Sequence, residues 1–219
     1  MKTIEFGDAH RQKHFAHFAA MDSPHFGITA DVEITAFLDY VRRSPTLRFT
    51  PAIVYLISRA AMEVRPFRWR IRGKTVVEHA DLQPSFAVPT AGSSAFSFCT
   101  VTYEEDPVSF HRTTEAKMEE MKINPSFEDE PGQDNYLFLS AFPWASFTSV
   151  THALNHRPGD SVPRITWGKY YKREGKVFMP LAVLAHHALV DGSDLGKYYQ
   201  IIERLLRQAE EIFAAFDKK

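Results

Sequence analysis

The sequence predicts one α/β domain over residues 1–219, and three observations lead to this fold class. Strand-like runs and helical patterns alternate along all 219 residues, with no low-complexity linker and no internal repeat. Residues 177–185 are apolar throughout, as expected of a central strand covered on both faces. The segment that follows, 194–216, carries apolar residues at helical spacing and predicts a long amphipathic helix.

The first third of the chain is predicted to hold three helices and a strand. Residues 10–19 have a helical pattern and residues 26–33 an extended one. Thr35 precedes the next helical pattern as an expected N-cap. A further helix is expected to begin after Thr50, because Pro51 suits a first helical position and apolar residues follow with one buried stripe.

The rest of the chain is predicted to be rich in strands. A hairpin is expected to turn at Gly73, and Gly175 is expected to lead the chain into the central strand. Further extended segments are predicted at residues 95–103, 136–142, 146–150 and 164–171. Residues 108–122 predict a surface helix that ends before Asn124 and Pro125.

Composition excludes several classes of function. The chain has 26 Lys and Arg against 27 Asp and Glu, a formal net charge of −1 and a pI near 6.8, so a nucleic-acid partner is not expected. Cys99 is the only cysteine, which excludes an intrachain disulfide and a cysteine-rich zinc site and predicts a cytoplasmic location. The apolar runs are too short to span a membrane, and the N-terminal residues lack the apolar core of a signal peptide.

The segment from His186 to Gly192, His-His-Ala-Leu-Val-Asp-Gly, lies where the central strand ends and is the best candidate for chemistry. An unperturbed histidine has a pKa of about 6.5, so it is a natural general base near neutral pH. Asp191 follows across a short turn that Gly192 can close, which returns a carboxylate toward the histidines. The alternative is a structural pair of hydrogen-bonded histidines that fixes the end of the strand.

These residues resemble a known family. His186-His187-x-x-x-Asp191-Gly192 at a strand end is similar to the motif of chloramphenicol acetyltransferases. Residues 143–149, Pro-Trp-Ala-Ser-Phe-Thr-Ser, and residues 167–171, Trp-Gly-Lys-Tyr-Tyr, resemble two further motifs of that family, and His10-Arg11 matches near the start. The resemblance covers nearly the whole chain in the same order.

The resemblance implies catalytic roles for three residues. His187 would remove a proton from an acceptor hydroxyl while the oxygen attacks the thioester of acetyl-CoA, without an acyl-enzyme. Ser146 would donate a hydrogen bond to the oxyanion, and Thr166 would hold a water near the tetrahedral intermediate. Asp191 would pair with Arg11 and so support the loop that presents His187.

The resemblance also implies the substrate sites and the assembly. Tyr170 would lie along the coenzyme, and Phe26 would pack on the acceptor. The implied fold is a two-layer sandwich with a large mixed sheet flanked by helices. Family members are homotrimers with active sites between subunits, so His187 would face the acceptor pocket of a neighbour.

Three functions follow from this resemblance. The first is an O-acetyltransferase that moves acetyl from acetyl-CoA to chloramphenicol or a similar small alcohol, by general-base catalysis in a ternary complex. The second is a related acyltransferase with another acceptor or acyl donor, because Ala9, Phe142 and Ser193 depart from the family pattern. The third is a catalytically silent trimer that binds ligands, although the retained base and oxyanion donor argue against it.

A metal centre is not expected from the sequence. His10, His14 and His17 share one face of the first predicted helix and could in principle present imidazoles to a cation. They are not joined by a carboxylate or thiolate in a recognised zinc spacing, so we interpret them as a solvated or partly buried helix face.

Overall fold

The computed structural model describes residues 1–128, 130–155 and 159–216. The helices are, in chain order, α1 (Ala9–Ala19), α2 (Thr35–Arg43), α3 (Phe49–Glu63), α4 (Pro107–Ile123), α5 (Gly192–Arg207) and α6 (Ala209–Ile212). The strands are β1 (Lys2–Ile4), β2 (His25–Glu33), β3 (Trp69–Arg72), β4 (Thr75–Glu78), β5 (Gln83–Pro89), β6 (Phe96–Thr100), β7 (Tyr136–Phe142), β8 (Arg164–Gly168), β9 (Tyr171–Arg173) and β10 (Lys176–His186). Short 3₁₀ turns cover Arg65–Arg68 and Ala214–Phe216.

The described strands form a large mixed sheet and a small one. The large sheet has seven strands in the order β2-β10-β8-β7-β5-β6, with β9 paired to β10. Strand β7 runs parallel to both β5 and β8, and the other pairs are antiparallel. The small sheet has the order β1-β4-β3. The predicted α/β class, with a large mixed sheet flanked by helices, is confirmed.

The large sheet buries one face against helices. Side chains alternate along a strand, so Leu139, Ile165 and Val183, which lie side by side in the register, point to the same face. They belong to one hydrophobic core with residues of α3 and α5, and we call this the core face. The opposite side, which carries Ser140 and Thr166, is the open face. Within the described residues, no helix is both long and apolar enough to cross a bilayer.

A buried arginine joins the small sheet to β7. The Arg70 guanidinium is fully buried and donates to the carbonyls of Asp134, Phe67, Trp69 and Tyr136. Burial lowers the pKa of Arg70 to about 10, so the group still carries its charge at neutral pH. Four carbonyl acceptors offset the free-energy cost of desolvating that charge. Their hydrogen bonds with Arg70 hold β3 and β7 together.

The starts of two helices differ from the prediction. Helix α2 begins at Thr35 itself, after Ile34, and the Thr35 hydroxyl accepts a hydrogen bond of 3.0 Å from the backbone nitrogen of Val177. Helix α3 begins at Phe49, so Pro51 is its third residue, where the missing N–H has no intrahelical partner to lose. The expected N-cap and first-position roles were therefore wrong, although both helices exist.

Strand predictions were partly right. The hairpin turns at Gly73, whose φ of 59° lies in the left-handed region that favours glycine. Residues 146–150 form no strand, and β8 ends at Gly168 before the separate strand β9. Strand β5 was not predicted, because prolines stand within and at the end of it. The predicted helix 194–216 is interrupted at Gln208, where α5 has ended.

Candidate active site

His187 lies in a turn directly after β10. Its backbone nitrogen donates a 2.8 Å hydrogen bond to the carbonyl of Pro24, which holds the turn against the start of β2. Its Nδ1 lies 3.1 Å from the carbonyl oxygen of Val190. A carbonyl oxygen only accepts, so in the neutral ring the proton is on Nδ1 and Nε2 carries the lone pair. An unprotonated Nε2 is the form that a general base needs.

Two aromatic rings enclose the His187 imidazole. Phe18 of α1 stacks on one side at a centroid distance of 3.9 Å, and Phe26 of β2 stacks on the other side at 4.2 Å. The interplanar angles are 20° and 27°. Phe26 was expected to pack on the acceptor, and in this structure it packs on His187. The two rings fix the plane of the imidazole from separate elements.

Arg11 supports the turn that presents His187, but by contacts other than the expected pair with Asp191. Its guanidinium donates 2.6 Å to the carbonyl of Leu189 and 2.7 Å to Nδ1 of His14. His14 Nε2 lies 3.9 Å from the Asp191 carboxylate. Among the ion pairs of the described residues there is none between Arg11 and Asp191, because the His14 ring stands between them.

Asp191 begins helix α5. Its carboxylate accepts hydrogen bonds from the backbone nitrogens of Gly192, at 2.6 Å, and of Asp194, and its own backbone nitrogen donates 2.9 Å to the carboxylate of Asp194. This reciprocal arrangement is a capping box. The carboxylate therefore fixes the point at which the His187 turn passes into the helix.

The second group of predicted residues lies on the open face. Thr166 of β8 is almost fully buried and stands opposite Ser140 of β7 in the parallel register. Ser140 lines a cavity of about 370 Å³, together with His152. The Thr166 hydroxyl and His152 Nε2 are 3.4 Å apart. The Thr166 hydroxyl therefore contacts His152 of the cavity wall and lies beside Ser140 in the sheet.

Ser146, the predicted oxyanion donor, lies elsewhere. It is exposed in the loop after β7 and is not part of the wall of that cavity. Ser140, which sequence reasoning missed, occupies the place beside Thr166. Strand alternation could have indicated Ser140. It is a serine on the same face as Phe138, in a strand that otherwise carries aromatic and aliphatic residues.

His187 and Thr166 do not meet within one chain. Thr166 is paired with Ala182 of β10, and His187 follows five residues later, so the two are separated by roughly 16 Å along the strand direction. They also lie on opposite faces of the sheet. Thr166 is on the face of its partner Ala182, whereas Phe26, which contacts His187, is on the face of its partner Ala185. Ala182 and Ala185 are three residues apart in β10 and therefore point to opposite faces. Within one chain, His187 and Thr166 therefore cannot act on the same atom.

Tyr170 lies beside a second cavity of about 350 Å³, between β8 and the start of α3. Its ring is 38% exposed and lies 6.3 Å from the ring of Phe49. Lys169 lines the same cavity and offers a cation there. The arrangement suits a ligand that carries both an apolar portion and negative charge.

The described residues bring one potential metal-binding trio together. Ligand atoms of His14, His187 and Asp191 lie within 4.8 Å of one another, whereas His10 and His17 are not part of the group. Arg11 donates to His14 Nδ1, so the proton of the neutral His14 ring is on Nε2, the atom that faces Asp191. Burial and the charge of Arg11 lower the pKa of His14. These contacts describe a cluster of polar side chains beside His187.

Comparison with known proteins shows which family this chain resembles. A sequence model described as chloramphenicol acetyltransferase matches residues 1–203. A chloramphenicol acetyltransferase of Escherichia coli is 29% identical over 195 residues, which make up 89% of this chain and 89% of that protein. One from Bacillus pumilus is 25% identical over 202 residues, or 92% of this chain and 91% of that protein.

Solved structures extend the comparison. A chloramphenicol acetyltransferase structure matches with a TM-score of 0.80 at 27% identity, covering 93% of this chain and 98% of that chain. A probable dihydrolipoamide acetyltransferase from Listeria monocytogenes shares the fold, with a TM-score of 0.70 at 15% identity and 94% coverage of both chains. Since the family match extends over most of the chain, this protein belongs to the chloramphenicol acetyltransferase family and is a transferase.

Proposed function

We propose that the protein is an acetyl-CoA-dependent O-acetyltransferase that acts on the hydroxyl of chloramphenicol or a similar small alcohol. The observation that carries the proposal is the state of His187. Its Nδ1 faces the Val190 carbonyl, its plane is fixed by Phe18 and Phe26, and its Nε2 is left free to take a proton. The names of the family and of its relatives supply the substrate class.

The proposed reaction is a direct transfer in a ternary complex. His187 Nε2 takes the proton of the acceptor hydroxyl as the oxygen attacks the thioester carbonyl carbon of acetyl-CoA. The carbonyl becomes an oxyanion and the carbon becomes tetrahedral. As the intermediate collapses, the C–S bond breaks and the coenzyme thiolate takes the proton back from His187. The products are an acetyl ester and free coenzyme A.

We propose Ser140 in place of Ser146 as the hydroxyl that donates to the oxyanion. Ser140 lines the cavity beside Thr166, whereas Ser146 is exposed outside it. Thr166 keeps its proposed role of holding a water close to the same centre. Donors placed where charge develops in the transition state typically contribute about 3 kcal/mol.

The two halves of the site are proposed to be completed by a homotrimer. His187 would be offered to the cavity of the next subunit, because about 16 Å and the thickness of the sheet separate it from Thr166 in its own chain. Tyr170 and the cavity beside it would take the coenzyme. Arg11, His14 and Asp191 would keep the His187 turn in place.

Mixed trimers test this arrangement. Neither His187→Ala nor Ser140→Ala should be active alone. Refolded together in equal amounts, they should recover activity, since about one quarter of the sites would combine an intact His187 with an intact Ser140. An inactive mixture of correctly assembled trimers would contradict a site shared between subunits.

Release of free thiol tests the reaction itself. Purified protein is mixed with acetyl-CoA and chloramphenicol, and the thiol is followed with a colorimetric reagent. Thiol release with chloramphenicol supports the proposed function. Release with other alcohols alone supports the related acyltransferase. Coenzyme binding without thiol release supports the silent trimer.

We also propose that the protein is cytoplasmic. Cys99 is buried and free, and burial raises the pKa of its thiol to about 12. A protein without a disulfide is compatible with the reducing cytoplasm.

A further inference from the structure

The cavity beside Ser140 has an aromatic side and a polar side. Phe96, Phe98 and Phe138 supply rings to its wall. His152, Asp160 and Arg164 supply polar groups to the same wall. A ligand that fills this space would pack a ring on the first set and meet hydrogen-bonding groups on the second.

The charged pair in this wall is already satisfied. Arg164 forms an ion pair with Asp160 and donates 3.1 Å to the carbonyl of Val162. Asp160 also accepts a 2.8 Å hydrogen bond from the Val162 nitrogen, and the guanidinium lies 5.1 Å from the Phe138 ring centre. Because the two charges offset each other locally, this pair does not select a charged acceptor.

His152 has unused hydrogen-bonding capacity. Its Nε2 faces the Thr166 hydroxyl at 3.4 Å, and its Nδ1 has no hydrogen-bond partner within the described ranges. Burial, and then the nearby charge of Arg164, lower the pKa of His152, so the ring is neutral at pH 7. A neutral imidazole keeps one N–H and one lone pair, and the rotatable Thr166 hydroxyl can donate or accept. The pair can therefore match either kind of polar partner.

The position of His152 also fixes where such a partner would be. It contacts Thr166, which stands beside Ser140 in the sheet. Ser140 is the proposed donor to the oxyanion, so a group that reaches His152 must lie close to the reacting hydroxyl of the acceptor. An alcohol without a nearby polar group would desolvate Nδ1 of the imidazole and leave that atom unpaired.

We propose that His152 is a specificity-determining residue of the acceptor cavity, which selects ring-bearing alcohols that carry a second hydroxyl or an amide close to the acetylated hydroxyl. This inference rests on the proposed function, because it takes the Ser140 cavity to be the acceptor site. The rings of Phe96, Phe98 and Phe138 hold the apolar part of the acceptor, and His152 pairs with its second polar group.

Binding measurements test this proposal without depending on turnover. Chloramphenicol has a ring, a second hydroxyl and an amide, whereas 4-nitrobenzyl alcohol has a ring and one hydroxyl. Calorimetric titration should show that His152→Leu weakens chloramphenicol binding about 10-fold or more and changes 4-nitrobenzyl alcohol binding less than about 3-fold. His152→Gln, which keeps hydrogen-bonding atoms, should recover part of the loss.

The outcomes separate the inference from the proposed function. An equal effect of His152→Leu on both alcohols, or no effect, would overturn the inference, and so would a wild-type protein that binds neither alcohol. Retained 4-nitrobenzyl alcohol binding shows that the variant is folded. A selective loss of chloramphenicol binding, in a protein that releases no thiol with either alcohol, would support the inference and count against the proposed function.

Discussion

The rings of Phe18 and His187 stack with their centroids 3.9 Å apart and their planes 20° from parallel. Phe18 comes from α1, and the ring on the other side of the imidazole, Phe26, comes from β2. The orientation of the candidate base is therefore held by two elements that are separate from its own turn. Such support lets a general base keep one geometry through the reaction.

Replacement of His187 by alanine should remove the base and little else. We expect kcat to fall by at least about 10²–10⁴-fold, because proton transfer from the acceptor hydroxyl loses its partner. The affinity for acetyl-CoA, measured by calorimetry, should stay the same. His10→Ala, on the exposed surface of α1, is the matched control and should keep full activity. A His187→Ala protein with normal kcat would contradict the assigned role.

Two serines can be compared directly as oxyanion donors. Ser140→Ala should lower kcat by about 10²–10³-fold, since a hydrogen bond that strengthens with developing charge is lost. Ser146→Ala removes the same hydroxyl from an exposed loop outside the cavity and should change kcat less than about 3-fold. Steady-state thiol release with saturating acetyl-CoA gives both values. The reverse order of effects would restore Ser146 as the donor.

Some parts of the candidate site could be predicted from the sequence and others could not. The apolar run that became β10 and the histidines at its end were identified because burial on both faces leaves a continuous pattern. Ser140, the proposed oxyanion donor, was not among the predicted residues because only the parallel register places it beside Thr166 of β8. That register joins segments separated by the whole 143–163 connection, and no local pattern encodes it.

The contacts that support the His187 turn were also predicted only in part, because they too depend on how distant segments pack. Arg11 and Asp191 were expected to pair directly, and the structure places His14 between them. Two residues of opposite charge suggest an ion pair in any sequence, but which third residue enters the gap depends on the angle at which α1 packs. The strand prediction for residues 146–150 was wrong, because these β-prone residues lie in a loop that forms no ladder with another strand in the described chain.

Asp191 caps α5 and is also proposed to position His187. A comparison with Asp106, which caps another helix, separates the two effects. Asp106 caps α4 by accepting a 2.7 Å hydrogen bond from the nitrogen of Ser109. Asp191→Ala and Asp106→Ala should each lower the free energy of unfolding by about 0.5–2 kcal/mol. Only Asp191→Ala should also reduce kcat, by about 10- to 100-fold, because the His187 turn shifts. Urea unfolding and thiol release measure the two effects, and an equal kcat in both variants would mean that Asp191 acts as a cap alone.

His186 should make the protein less stable in mild acid. Burial, and then the nearby ring of His25, lower the pKa of His186 to about 4, and its Nδ1 accepts a 3.2 Å hydrogen bond from the nitrogen of Ala188. In the unfolded chain the pKa returns to about 6.5. Because the folded value is the lower one, the stabilisation is present above pH 6.5 and is lost as the pH falls toward 4. Between pH 7 and pH 5 the loss from this residue is about 2 kcal/mol.

The His186→Asn variant isolates the pH-dependent contribution of His186 to stability. The side-chain oxygen of asparagine can accept the hydrogen bond from the Ala188 nitrogen, and asparagine does not titrate. The variant should lose less stability than the wild type between pH 7 and pH 5, as measured by urea unfolding at pH 7, 6 and 5. The difference arises because the unfolded wild-type chain takes up a proton on His186 that the folded chain excludes. Parallel stability curves for the two proteins over this range would show that His186 is not held neutral by the fold.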